Sequence, residues 1–161
     1  EVCTIQRGPF VTSDMKIPGP YPVYGGGNVS FYMNQYNRED EIIVARMGVS
    51  ANCVRYEKEK FFLSQHGWTL KCNPDIIIKK YLYYYLHYIQ PNILKIATGT
   101  AQLGIKQENF YKLKIPLPSL EKQQEIINKC EYNNQLIKQL EEEIKKNKEE
   151  QIQHMATIFT K

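Results

Sequence analysis

Long apolar runs are missing from this sequence: none approaches the roughly 20 residues that a membrane-spanning helix needs, so a membrane protein is not expected. No signal-peptide pattern stands at its start, and the chain is expected to work in the cytoplasm. Cysteine is scarce and scattered. Cys3, Cys53, Cys72 and Cys130 form no C-x-x-C pair and have no histidine at a ligand spacing, which argues against a metal site and leaves buried free thiols in a reducing cytosol. The three histidines, His66, His87 and His154, fall in a loop, a tyrosine-rich helix and a C-terminal helix, and no catalytic signature surrounds the neighbours Ser64 and His66. The glycines at 25–27 are followed by no G-K-[ST] and open no helix, which excludes a phosphate loop, and they make no dinucleotide fingerprint. Pro74-Asp75 lacks the downstream acidic-x-Lys element of a nuclease. No catalytic residue, metal or cofactor is therefore expected on this chain. An initiating methionine is missing too; the chain opens on Glu1, and a fragment, a processed chain or a lost beginning is expected.

What is present fits one globular domain with a real core, followed by an appendage. Residues 1–118 hold 14 Lys and Arg against 9 Asp and Glu, whereas residues 119–161 hold 7 against 8, so the globular part is the basic part and leans toward a polyanion. Residues 1–36 read as short extended pieces between turns, with Pro18-Gly19-Pro20 and the glycine run breaking the chain on either side of Tyr21 to Tyr24. Ile42 to Ala45 reads as a buried strand, and a loop of small residues leaves its end. The pattern predicts a hairpin with its charged tip at Glu57 to Lys60 and Phe61 to Ser64 as the partner strand. A second loop follows at Gln65 to Trp68. A helix is predicted over Ile76 to Ile89, capped by Asn73 or Asp75, with Pro91 beyond its end. Tyr81, Tyr83, Tyr84, Tyr85 and Tyr88 crowd that helix; three consecutive tyrosines cannot share one face, and most are expected to pack.

The joint of the chain is Leu113 to Cys130. Leu113, Ile115 and Leu117 read as a short strand ended by Pro116 and Pro118. Ser119 is placed to cap a following helix, with Glu121 suited to the positive end of the dipole; Lys122 leaves the capping box incomplete. Ile126, Cys130, Asn133, Ile137, Leu140 and Ile144 then recur at spacings of 4, 3, 4, 3 and 4, the seam of a coiled coil. A stutter at Lys148 leads on to Ile152, Met155 and Phe159. Some 40 residues of helix would measure about 60 Å, which calls for a partner. Asn133 is either a register-setting polar residue or a tolerated imperfection. Together these readings predict a mixed α+β domain over 1–118, with a twisted or partly closed sheet and a few helices, followed by one long coiled-coil helix over 119–161.

Polar residues able to read base edges cluster in loops at strand or helix ends: Arg46, Ser50, Asn52, Gln65, His66, Thr98, Thr100 and Gln102. Tyr24 is presented beside the glycines, and Lys71, Lys79, Lys80, Lys95 and Lys106 are candidates to neutralise phosphates. Loops are polar in every protein, and turn chemistry explains the same residues.

Four motifs carry a resemblance. Tyr21-Pro-Val-Tyr-Gly-Gly-Gly-Asn28, Ile42-Ile-Val-Ala-Arg-Met-Gly48, Thr98-Gly-Thr-Ala-Gln102 and Ile115-Pro-Leu-Pro-Ser-Leu-Glu-Lys-Gln-Gln-Glu-Ile126 resemble, in that order, the specificity subunit of type I restriction–modification systems. The resemblance implies a target-recognition domain that reads half of a split double-stranded DNA site, then a spacer helix. It implies docking by a DNA methyltransferase subunit, which would hold the S-adenosylmethionine, and by a restriction subunit. Full subunits carry two such units, and this chain has one, so a half-subunit is expected that forms a homodimer through its helix and reads an interrupted palindrome. Two alternatives stay open: the C-terminal recognition domain of a longer restriction–methylation enzyme, and an oligomeric scaffold that reuses the fold.

Overall fold

The computed structural model describes residues 2–25 and 27–159; Glu1, Gly26 of the glycine run and residues 160–161 of the expected helix lie outside the described residues. Two compact units are present, Glu1–Gln123 and Gln124–Lys161. In the first, β1 (Cys3–Arg7), β4 (Glu41–Ala45), β5 (Val54–Glu57) and β7 (Gly67–Cys72) form an antiparallel sheet in the order β1-β7-β4-β5. A second sheet, β3-β2-β6, joins β2 (Tyr21–Tyr24) to β3 (Phe31–Met33) antiparallel and to β6 (Phe62–Leu63) parallel. β8 (Ala97–Thr98) and β9 (Gly104–Ile105) make a small hairpin. Between and after the strands come α1 (Lys79–Tyr88), α2 (Gln90–Lys95), α3 (Gln107–Phe110) and the 40-residue α4 (Leu120–Phe159). The architecture is mixed α+β with one long C-terminal helix.

β4 is the buried strand its run of Ile and Val predicts, with Ile42 to Ala45 all in the core. Tyr24, Ile43, Phe61 and Leu63 pack together, and Val23, Met33 and Phe62 form a neighbouring cluster. Trp68 is fully buried, edge-on to Phe110 at 5.7 Å. That burial draws Gly67 and Trp68 into strand β7, where the sequence predicts a loop; Gly67 pairs with Ala45 and Trp68 with Val44.

Three further expectations give way to pairings that span the chain. Phe62 and Leu63 do not return against β5; they lie parallel to Val23 and Tyr24, because both side chains bury fully in the second sheet. Asn37 satisfies the other side of β6, accepting from Leu63 N–H at 2.8 Å and donating to Leu63 C=O at 3.1 Å. α1 begins at Lys79, later than predicted. Asn73 makes a local turn, accepting from Asp75 N–H at 3.1 Å, and neither Asn73 nor Asp75 caps the helix. Leu113 to Leu117 forms no strand. Its carbonyls are taken instead by hydroxyls one turn apart on α1: Tyr85 donates to Lys114 C=O at 2.8 Å and Tyr81 to Pro116 C=O at 3.1 Å. A segment with two prolines lacks ladder donors but keeps its acceptors, so side-chain hydroxyls hold it where a strand could not.

Gln123 is the polar residue on which this region closes. Fully buried, its Oε1 accepts from Ile78 N–H at 2.9 Å, the free N–H at the start of α1. Its Nε2 donates to Pro118 C=O at 2.9 Å and Ile76 C=O at 3.0 Å. One amide thereby satisfies three backbone groups that burial would otherwise leave unpaired. Ser119 caps α4 as its sequence predicts, accepting from Lys122 N–H at 3.3 Å. Glu121 in the first turn has its carboxyl held below the usual range by its own backbone N–H and by Ser119.

From Asn133 onward the seam of α4 is open to solvent. Ile137, Leu140, Ile144, Ile152, Met155 and Phe159 are all about half exposed or more, and Leu136 widens the stripe; Ile126 and Cys130 are half-buried. Lys145–Glu149 and Lys146–Glu150 form exposed i,i+4 pairs, worth a few tenths of a kcal/mol each at most, roughly. No helix among the described residues is long and apolar enough to cross a membrane.

Candidate nucleic-acid interface

Three loops of the first unit meet at Arg46 to Val49, where β4 ends. The 64–66 turn reaches it through His66 C=O, which accepts from Arg46 N–H at 2.8 Å and Met47 N–H at 3.0 Å. The 99–103 loop reaches it through Leu103 C=O, which accepts from Gly48 N–H at 2.9 Å and Val49 N–H at 3.2 Å, while Ile105 N–H donates to Arg46 C=O at 2.9 Å. Backbone bonds thus gather the loops.

Close packing beside these loops calls for glycine at Gly25 and Gly99, among other places. At Gly25 a Cβ would lie 2.8 Å from Ser64 Oγ and 3.1 Å from His66 Cβ, so the first residue of the glycine run seats the 64–66 turn. Gly99 has φ +133°, and a Cβ there would lie 2.2 Å from Gln102 C=O. Gly99→Ala is expected to rebuild the 99–103 loop while the thermal midpoint moves little, because the loop is exposed.

Around this hub runs a cleft of about 480 Å³, lined among others by Arg7, Arg46, Thr98, Gln102, Lys106 and Gln107. Three cations face one carboxylate there, Glu108, so the cleft favours an anion. Arg46 Nη1 donates to Gln65 C=O at 3.3 Å, which fixes the guanidinium at the rim. Gln65 Oε1 accepts from Val11 N–H at 3.2 Å, and its Nε2 lies 3.3 Å from His66 Nε2. Arg7, from the far end of β1, donates through Nη2 to Gln107 Oε1 at 2.7 Å, and Gln107 Nε2 donates to Tyr111 Oη at 3.3 Å.

Of the residues the sequence singles out, the structure brings Arg46, Thr98, Gln102 and Lys106 into one cleft, with Gln65 and His66 beside it and Thr100 exposed on the adjoining loop. Ser50 and Asn52 are exposed further along the Arg46 loop and do not line the cleft. Lys71 lies at the other end of β7, against a separate pocket with Glu41 and Lys79. Tyr24 belongs to the core: its ring packs edge-on to Phe61, its hydroxyl donates to Glu57 Oε2 at 2.6 Å, and burial with that carboxylate pushes its pKa up to about 12. It presents no hydroxyl to a ligand. Arg7 and Gln107 escape the sequence reading, because one sits on a strand and the other on a short helix, 100 residues apart. No His, Cys, Asp and Glu grouping among the described residues could hold a metal ion.

Residues 1–153 match the family model described as the type I restriction modification DNA specificity domain. A Mycoplasma pneumoniae protein, provisionally named a type I specificity subunit, is 27% identical over 160 residues, covering 97% of this chain and 43% of that protein. A Methanocaldococcus jannaschii protein, provisionally named a type I restriction enzyme specificity subunit, is 27% identical over 147 residues, covering 90% of this chain and 32% of that one. The chain therefore spans about a third to a little over two fifths of the length of these relatives. Among solved structures, the type I restriction–modification S subunit from M. genitalium superposes with a TM-score of 0.76 at 24% identity, covering 83% of this chain and 37% of that one. The HsdS subunit from Thermoanaerobacter tengcongensis superposes with a TM-score of 0.59 at 18% identity, covering 84% and 36%. These two likenesses are of fold.

Proposed function

The chain belongs to the family of type I restriction–modification DNA specificity domains, and from that premise we propose that it is a non-catalytic unit reading one half of a bipartite double-stranded DNA site. The observation that carries this is one cationic cleft lined by Arg46, Thr98, Gln102, Lys106 and Arg7, beside the point where backbone bonds join three loops. Arg pairs bidentately with guanine and Gln with adenine, while lysines neutralise phosphates. Through the exposed seam of α4 the unit pairs with a second unit, a copy of itself when the chain is alone in solution. The paired frame then directs a cytoplasmic adenine methyltransferase subunit and a restriction subunit to the site. Two-fold pairing makes the site an interrupted palindrome.

The test is selection of bound duplexes from a random-core library, with the mass in solution measured alongside. An enriched bipartite palindrome is expected. Binding with a steep salt dependence and no sequence preference would instead favour the scaffold reading. Arg46→Ala and Gln102→Ala are each expected to weaken binding to the selected duplex roughly 5- to 150-fold and to relax the base at one position per half-site. Lys106→Ala should weaken selected and scrambled duplexes alike, and lower the salt slope by about 0.9 for each phosphate that is no longer neutralised.

A further inference from the structure

Cys3 and Cys72 sit directly opposite each other in the β1–β7 ladder. Asn73 N–H donates to Val2 C=O at 2.9 Å, so the Val2 and Asn73 pair is the hydrogen-bonded one and the next pair inward is not. At such a pair the Cα atoms stand about 4.5 Å apart with both side chains on one face of the sheet, at the near end of the roughly 4.4–6.8 Å that a disulfide spans. Both residues are half-buried and both are thiols; Cys72 Sγ donates weakly to Leu70 C=O at 3.9 Å. Cys53, by contrast, is 1% exposed, and Cys130 belongs to the other unit.

We propose that Cys3 and Cys72 are a site of oxidative modification, closing to a cross-strand disulfide when the chain meets a low-molecular-weight disulfide such as oxidised glutathione. One cysteine thiolate attacks a glutathione sulfur, forming a mixed disulfide and releasing one glutathione thiol. The second cysteine thiolate then attacks the protein sulfur of that mixed disulfide and releases the other glutathione. Two protein thiols are oxidised and one glutathione disulfide is reduced to two thiols. The bond ties edge strand β1, whose far end carries Arg7 to the cleft, to its single ladder neighbour. The inference stands independently of DNA reading.

The experiment is incubation of the full reduced chain with oxidised glutathione in mildly alkaline solution, chosen because burial pushes the Cys72 thiol up to about 11. Remaining thiols are then blocked by alkylation in denaturant, which reaches buried Cys53 as well, and peptides are mapped without reductant. The expected product is a chain with no cross-link to a second copy, lighter by two hydrogen atoms before alkylation, with the peptides of Cys3 and Cys72 joined and Cys53 and Cys130 alkylated. Its urea midpoint should rise and fall back on reduction. Cys3→Ser should instead stop at a glutathione adduct on Cys72, and a Cys53→Ser, Cys130→Ser double variant should cross-link as the parent does. Four alkylated thiols, an adduct that persists on the parent chain, or a cross-link mapping to another pair of cysteines would each overturn the proposal.

Discussion

A chain carrying both Ile137→Asp and Leu140→Asp is expected to run in light scattering at the mass of one copy, 18.9 kDa, at concentrations where the parent runs at twice that. In the isolated chain Ile137 is 52% and Leu140 48% exposed, and they stand one step apart on a stripe that continues through Ile144. Fully burying an Ile or Leu contributes about 1.5–3 kcal/mol, so four half-exposed side chains across a two-fold interface contribute several kcal/mol between them. Asp removes that term and places four carboxylates in an apolar seam, where each costs more than the side chain it replaced contributed. The helix itself should survive, since Asp in an exposed helix position costs about 0.7 kcal/mol, and circular dichroism checks this. Because two linked half-sites bind with raised effective concentration, affinity for the bipartite duplex should fall roughly 100- to 10,000-fold. A dimer that persists in this variant overturns the coiled-coil reading.

Gln123→Ala should produce a large loss of stability for a change at a polar residue of the first unit. It strips partners from Ile78 N–H, Ile76 C=O and Pro118 C=O at once. Buried groups left unpaired cost about 1–3 kcal/mol each, and with water entering the space a net loss of about 3 kcal/mol is expected from urea unfolding, with the slope unchanged. Gln123→Glu separates hydrogen bonding from packing. Its carboxylate still accepts from Ile78 N–H but faces two carbonyl oxygens with no proton to offer, so its folded-state pKa is raised. A carboxyl raised on folding binds protons more tightly in the native state, so the deficit of this variant should shrink as the pH falls through that pKa and be full at neutral pH. A deficit independent of pH would show that the amide's donors contribute nothing.

Where the chain is legible from local sequence, the rules that make it so act over a few residues. β4 follows from an unbroken run of branched apolar side chains, the cap of α4 from Ser119, and the loop after Ala45 from its small residues. The misread places depend on groups far away in the chain. Side-chain amides satisfy the backbone beside β6 (Asn37) and at the start of α1 (Gln123), tyrosine hydroxyls of α1 hold 113–117, and the burial of Trp68 draws 67–68 into β7. No local period marks an amide that will be buried 26 to 45 residues from its partner. The site divides in the same way. Arg46, Thr98 and Gln102 are legible because they are polar residues at element ends, whereas Arg7 reads as an ordinary strand residue until the sheet order brings it to the cleft.

On the ribosome, β1 has to wait. It is an edge strand whose neighbour β7 ends 65 residues further along, counting from Arg7 to Cys72. At about 5–20 residues per second, that is roughly 3–13 seconds during which β1 has emerged while its partner β7 is still unmade. The hairpin of β4 and β5 can close within its own stretch of chain, and it offers the template to which β7 and only then β1 add. Synthesis that stalls before Gly67 releases a chain with a bare strand edge, the species most open to pairing with a copy of itself.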